Sequence, residues 1–175
     1  MPKDNDSGIG ASPKRREDVR FLTGAGNYTD DINVNGQAHV HFLRADAAHA
    51  TINSIDTSAA AGMPGVVKIF TGADFAEVGG IPCGWGVTDR HGNPQQEPRH
   101  PIIADGTIRH VGEIIAAVVA DTVEQARDAA EAIELDLSDK PAVVDMGGAL
   151  AEDSPKVHED LTSNLCYDWV FGNPD

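Results

Sequence analysis

His39 and His41 stand two residues apart, so an extended backbone would turn both imidazoles to one face, as a two-nitrogen metal clip requires. Two ligands leave a zinc site at least one short, and no neighbouring acidic or cysteine residue completes the set in sequence. His91, His100 and His110 could work with Asp89, Glu97 or Asp105 as general acid and base. Spacing alone does not set their mutual geometry, which proton transfer needs first. Cys83 sits among Pro82, Gly84, Trp85 and Gly86, a setting for a reactive or binding loop, but no adjoining basic residue would lower its pKa, so it reads as an ordinary thiol. Gly24, Ala25 and Gly26 lack the third glycine and the strand-to-helix turn of a dinucleotide fingerprint. Tyr167, Trp169 and Phe171 alternate, which on a strand marks a core face more often than an aromatic binding patch. No catalytic, cofactor-binding or metal-ligating residue is assigned from these patterns.

The elements that would have to carry these groups are an α+β set. Residues 39–44 alternate, placing Val40 and Phe42 on one face and His39 and His41 on the other; the histidine face then reads as a polar face able to meet another subunit. Residues 51–55 are a second strand, with Asp56 or Thr57 capping a short alanine-rich turn that Gly62 and Pro64 end. Residues 66–70 are a third strand, and Thr71 to Phe75 a turn into a short helix. The stretch 79–105 has no sustained period and reads as a long surface loop. Residues 107–111 follow as a strand, then 114–120 as an apolar run covered on both faces. Thr122 and Gln125 have capping-box spacing, and Val123, Ala126, Ala130 and Ile133 form a narrow apolar stripe of a helix. Leu135 and Leu137 alternate in a last strand, and residues 165–171 are strand-like. Strands in pairs and around a helix indicate an α+β layer rather than a doubly wound sheet.

At 175 residues and 41% hydrophobic content the chain suits one domain with ragged ends. Its 13 basic and 28 acidic residues, a formal net charge of −15, argue against nucleic acid or an anionic lipid surface as partner. Cys83 and Cys166, far apart and without a Cys-x-x-Cys spacing, suggest neither a disulfide framework nor a thiolate metal site and fit a reducing compartment. No apolar run approaches the roughly 20 residues that cross a bilayer. The first ten residues have no hydrophobic signal core, so the expected location is cytoplasmic.

One group of residues is distinctive in combination. Glu17, Asp18, Arg20 and Phe21, followed by Gly24, Ala25, Gly26, Asn27, Tyr28, Asp30 and Asp31, resemble the opening of molybdenum hydroxylase large subunits. Further matches keep their order: His49 and Ala50 before Ile52; Ile55, Asp56 and Thr57; Pro64, Gly65 and Val66 ahead of Thr71, Gly72, Ala73 and Asp74. Val111, Gly112 and Glu113 then precede the 116–120 run, and Pro141, Ala142, Val143, Val144 and Asp145 close the set. Together they cover nearly the whole chain from about Lys14 and are most similar to the carbon monoxide dehydrogenase large chain type within the xanthine dehydrogenase and aldehyde oxidase family.

The resemblance implies an α/β hammerhead domain with a mixed or antiparallel sheet and a few helices. Composition makes 1–14 a disordered tail and 15–35 a docking arm, whose Phe21, Leu22, Tyr28 and Ile32 would dock while Gly24 and Gly26 permit turns; the resemblance places the hammerhead over 36–145, and 146–175 reads as a linker with the start of a truncated molybdopterin-binding domain. The expected role is structural and assembling, with no catalysis by the fragment and no cofactor in it. For the whole protein the resemblance implies a molybdopterin-type molybdenum cofactor and oxidation of a small substrate. The implied partners are the downstream cofactor-binding domain and iron–sulfur and flavin subunits or domains. The alternatives are a xanthine- or aldehyde-type dehydrogenase subunit of the same family, or a standalone interaction module without enzymatic activity.

Overall fold

The chain divides into two units, Met1–Gln37 and Ala38–Asp175, and the computed structural model describes residues 8–12 and 14–172 of them. Of the tail expected over 1–14, residues 1–7 and 13 lie outside the described residues. The first unit contains α1 (Asp18–Leu22) and a 3-10 turn (Thr29–Asp31), neither of which buries a residue. Gly24, at φ +74°, reverses the chain after α1. That reversal lets the Phe21 and Tyr28 rings stack 5.5 Å apart. Gly26 lies beneath them, and a Cβ there would come within 2.7 Å of the Phe21 ring and push it aside. Leu22 and Ile32, which the sequence pairs with these rings as docking residues, stay exposed.

The second unit holds two three-stranded antiparallel sheets. β1 (His39–Arg44), β5 (Ile114–Ala120) and β3 (Val66–Thr71) form one, with β5 central. β4 (Thr107–Ile108), β2 (Ala50–Asp56) and β6 (Glu134–Asp139) form the other, with β2 central. β5 has the sequence for a central position: its Ile, Ala and Val side chains need no polar partner, and most are buried. The pairings agree with an α+β layer, here divided between two sheets.

Helix α3 (Val123–Glu131) joins the sheets, leaving β5 and delivering the chain to β6 while packing on β1, β5 and β3. Thr122 Oγ1 caps it by accepting from Gln125 N at 3.2 Å. The Gln125 side chain lies over Gly65, where a Cβ would come within 2.2 Å of its Oε1, so only the threonine half of the capping pattern is built. The buried stripe is Ala126, Ala129 and Ala130, continuing to Ile133, whereas Val123 at the first turn is exposed. These small side chains let α3 approach Ala116 and Val118, and α2 (Ser58–Ala61) adds Ala60 to the same core. Asp56 rather than Thr57 supplies the side-chain cap of α2, accepting from Ser58 N at 2.9 Å. A second core joins Ala45, Ala50, Ile108 and Ile115, with Leu43, Ile55 and Leu135 packed against both cores.

Four expectations are corrected. In β1 the buried face is reversed: Val40 and Phe42 are 52% and 43% exposed, while His39, His41 and Leu43 point inward. Leu43 decides the parity, because it pairs with Ala116 beneath α3 and alternation carries His41 and His39 to the same side. The strand expected over 107–111 stops at Ile108, since residues 109–113 turn back, with Gly112 at φ +85°. The 79–105 loop is not surface throughout: Pro101, Ile103 and Ala104 are buried, and Ala104 N donates to Ile114 O at 2.7 Å. Residues 165–171 form no ladder strand and are held instead by isolated bonds to the 90–96 segment. Within the expected 146–175 linker, α4 (Met146–Ala149) is capped by Asp145 Oδ1, which accepts from Gly148 N at 2.7 Å.

Candidate functional site

The 79–105 loop, the 109–113 turn and the segments near His158 and Cys166 line an open cavity of about 600 Å³ in the second unit. Local chemistry shapes each wall. Asp89 tightens the loop tip by accepting from His91 N and Asn93 N, each at 2.8 Å. Gln95 N donates to Val87 O at 2.9 Å, which doubles the loop back on itself. Gln96 N then donates to Cys166 O at 2.9 Å, and Arg90 binds Asp168 through both its backbone N–H and its guanidinium, the latter at 2.8 Å. The 109–113 turn is closed by Glu113, only 7% exposed, whose Oε2 accepts the Arg109 backbone N–H.

Among the acid–base candidates, the fold brings His100, His110 and Glu97 to this cavity. His91 and Asp89 remain in the loop-tip turn, and Asp105 pairs with Arg99 at 2.9 Å. His110 Nδ1 lies 3.8 Å from Glu113 Oε2, which sets an ion pair when the imidazole is protonated. Glu97 is engaged, since its Oε1 accepts from Cys83 N at 2.8 Å. Cys83 and Cys166, 83 positions apart in the chain, are exposed free thiols that both line the cavity. Cys83 Sγ donates to Trp85 O at 3.2 Å and Cys166 Sγ to Gln96 O at 3.3 Å. The alternating aromatics are partly together, with Trp169 and Phe171 5.9 Å between ring centroids and both exposed.

Three residues of this site escape the sequence pattern: Arg109, Glu113 and His158. Arg109 is one of 13 basic residues, and nothing in its neighbours marks it. His158 lies in a stretch without periodicity. Glu113 is visible only as part of the Val111, Gly112, Glu113 match. In the fold, burial holds His158 below the ordinary histidine pKa, and the Arg109 charge adds to that; Asp160 and Glu113 oppose it. The arrangement is a cation- and imidazole-rich hollow with most of its carboxylates already occupied.

His39 and His41 half-face the α3 side of their sheet, where the charge of His39 reaches Glu124. Among the described residues no group of three His, Cys, Asp or Glu side chains could hold a metal ion. Gly24 and Gly26 lie within the turn between Phe21 and Tyr28, and among the described residues no strand precedes them, so they lack the setting of a phosphate cradle. Among the described residues no helix is long and apolar enough to cross a membrane.

Residues 23–141 match the family model described as aldehyde oxidase and xanthine dehydrogenase, a/b hammerhead domain. The chain is 40% identical over 137 residues to the nicotine 6-hydroxylase large subunit of Paenarthrobacter nicotinovorans, covering 78% of this chain and 16% of that protein. It is 35% identical over 159 residues to the carbon monoxide dehydrogenase large chain of Afipia carboxidovorans, covering 90% and 18%. The crystal structure of quinoline 2-oxidoreductase from Pseudomonas putida 86 matches with a TM-score of 0.74 and 41% identity, over 89% of this chain and 19% of that one. The chain therefore spans less than a fifth of the length of these relatives.

Proposed function

The chain belongs to the aldehyde oxidase and xanthine dehydrogenase family, and from that premise we propose that it is a structural and assembly domain of a molybdopterin-dependent oxidoreductase large subunit, without catalytic activity of its own. The observation that carries this reading is the outer face of the β1-β5-β3 sheet. Phe42, Ala117 and Phe70 are paired across it, as are Val40, Val119 and Lys68, so one apolar sheet face is turned away from α3. Val40 and Phe42 stand in water there. Full burial of such a side chain is worth about 1.5–3 kcal/mol, and covering the half still exposed would gain part of that, which favours a covering partner.

Among the described residues no group of three His, Cys, Asp or Glu side chains could hold a metal ion. The redox chemistry is assigned to the remainder of the larger protein, cytoplasmic in this reading, with iron–sulfur and flavin components taking the electrons. Residues 36–145 act as the hammerhead, 15–35 as a docking arm, and 146–175 as the passage toward the cofactor-binding part. A carbon monoxide dehydrogenase-like activity remains one reading. The higher identities to a nicotine hydroxylase and a quinoline oxidoreductase favour a second, hydroxylation of an N-heteroaromatic ring.

Replacing Phe42 by Asp tests the assembly role. The 175-residue chain should keep its denaturation midpoint, while the larger enzyme carrying the same change should lose molybdenum, pterin and activity together. Full metal content and turnover in that enzyme would defeat the proposal. Stoichiometric molybdenum or pterin in the purified 175-residue chain would defeat its non-catalytic part. Turnover of N-heteroaromatic substrates, aldehydes, purines and carbon monoxide by the larger enzyme decides between the substrate readings.

A further inference from the structure

Arg109 lines the cavity of the second unit without a close ion pair; its charge reaches Glu159, but that carboxylate is held by Lys140 at 2.6 Å. Its Nη1 donates to Thr107 O at 3.3 Å, whereas its Nε is sealed from solvent and has no acceptor. The nearby carboxylates are committed elsewhere. Asp105 holds Arg99, Glu97 accepts from Cys83 N, and Glu113 Oε2 takes the backbone N–H of Arg109 rather than its side chain. Among the described residues no ion pair includes Arg109. A buried donor without a partner costs about 1–3 kcal/mol, a cost that a small turn of the part-buried guanidinium toward an acceptor in the cavity would relieve. A guanidinium presents a planar fork of donors that matches two oxygens of a carboxylate or phosphate.

We propose that this cavity is a binding site for a small oxyanion, a carboxylate or phosphate group, with Arg109 as the clamp and His110 and His158 beside it. The site does not depend on the assembly role proposed above. The cavity's volume leaves room for the group that carries the anion, and its imidazoles can donate once protonated. Bound negative charge also offsets the repulsion between Arg109 and His158, so the His158 pKa should rise toward the ordinary histidine value when the site fills. The groups that set that pKa are Arg109, His100, Asp160 and Glu113.

The experiment is NMR of the isotopically labelled 175-residue chain, titrated with inorganic phosphate and, separately, with acetate, against sodium chloride at matched ionic strength. A saturable shift of the Arg109 Nε–H resonance, accompanied by an upward move of the His158 titration midpoint, is expected. Both should vanish in Arg109→Gln with the remaining resonances in place. Arg109→Lys, which keeps the charge without the fork, gives a second variant if the first fails to fold, and should bind more weakly than the native chain. Saturation by phosphate alone assigns a phosphate ester as the ligand class, and saturation by acetate assigns a carboxylate. An Arg109 resonance that ignores both anions, or follows chloride equally, overturns the site and leaves water as the Nε acceptor.

Discussion

The run from β5 through α3 to β6 and the cavity assembled from residues 81–113 and 157–166 are held together in different ways. In the first, neighbours in sequence carry most of the information: an apolar strand, a threonine cap, alanines three and four apart and an alternating strand. In the second, the contacts that matter span long separations, such as Arg90 with Asp168 and Gln96 with Cys166. The first region should fail through loss of packing and unfold the domain. The second should loosen locally while the two cores stay intact.

The sharpest break in that contrast is a charge placed under α3. Ala126→Glu or Ala130→Glu pushes a carboxylate into fully buried ground and should cost about 2 kcal/mol or more, read as a lowered denaturant midpoint. Glu124→Gln on the exposed side should leave that midpoint nearly unchanged. An unaltered midpoint in Ala126→Glu would mean that the helix does not present this face.

Gly72→Ala probes the seam where the long loop enters the core. A Cβ there would come within 2.3 Å of the Ala104 carbonyl oxygen, a backbone atom that cannot swing aside. The expected cost is about 1–3 kcal/mol, with the midpoint as the measurement. A tolerated alanine would show that the 101–104 segment is not fastened to this turn.

Acid should act on the cavity before it acts on the cores. The folded pKa of His158 is lowered by burial and by Arg109, so the unfolded chain binds the proton more readily. The stabilising contribution is present above the unfolded value of about 6.5 and is lost as pH falls through the lower folded value. A His158 titration midpoint below that of an unfolded control, moving upward in Arg109→Gln, is the expected result. The lowered carboxylates Asp56, Asp74, Asp89, Glu124 and Glu159 act in a lower window. Their stabilisation is present above their unfolded values near pH 4 and lost as pH falls through the depressed folded ones.

The smallest global effect belongs to the exposed Arg90–Asp168 pair. Arg90→Ala should change overall stability by no more than about 1 kcal/mol. It should still speed amide exchange in residues 90–96 and 165–168, because that pair joins two stretches without a ladder. A large loss of global stability would erase the distinction between the two regions.

The sequence by itself determined the elements from β5 to β6 and the family. The 114–120 run, the Thr122 cap, the Ala126 and Ala130 positions and the final alternating strand all follow from short-range periodicity, and the ordered matches identified the hammerhead before any coordinates. Tertiary structure decided what periodicity cannot express. Alternation assigns two faces to β1, but only Leu43 packing beneath α3 says which one is buried. Composition marks Arg109, Glu113 and His158 as three more polar residues, and only loop closure makes them neighbours around one cavity. The physical reason is common to both cases: hydrophobic period is written over a few residues, whereas burial parity and the meeting of charges depend on which distant segments the two sheets bring together.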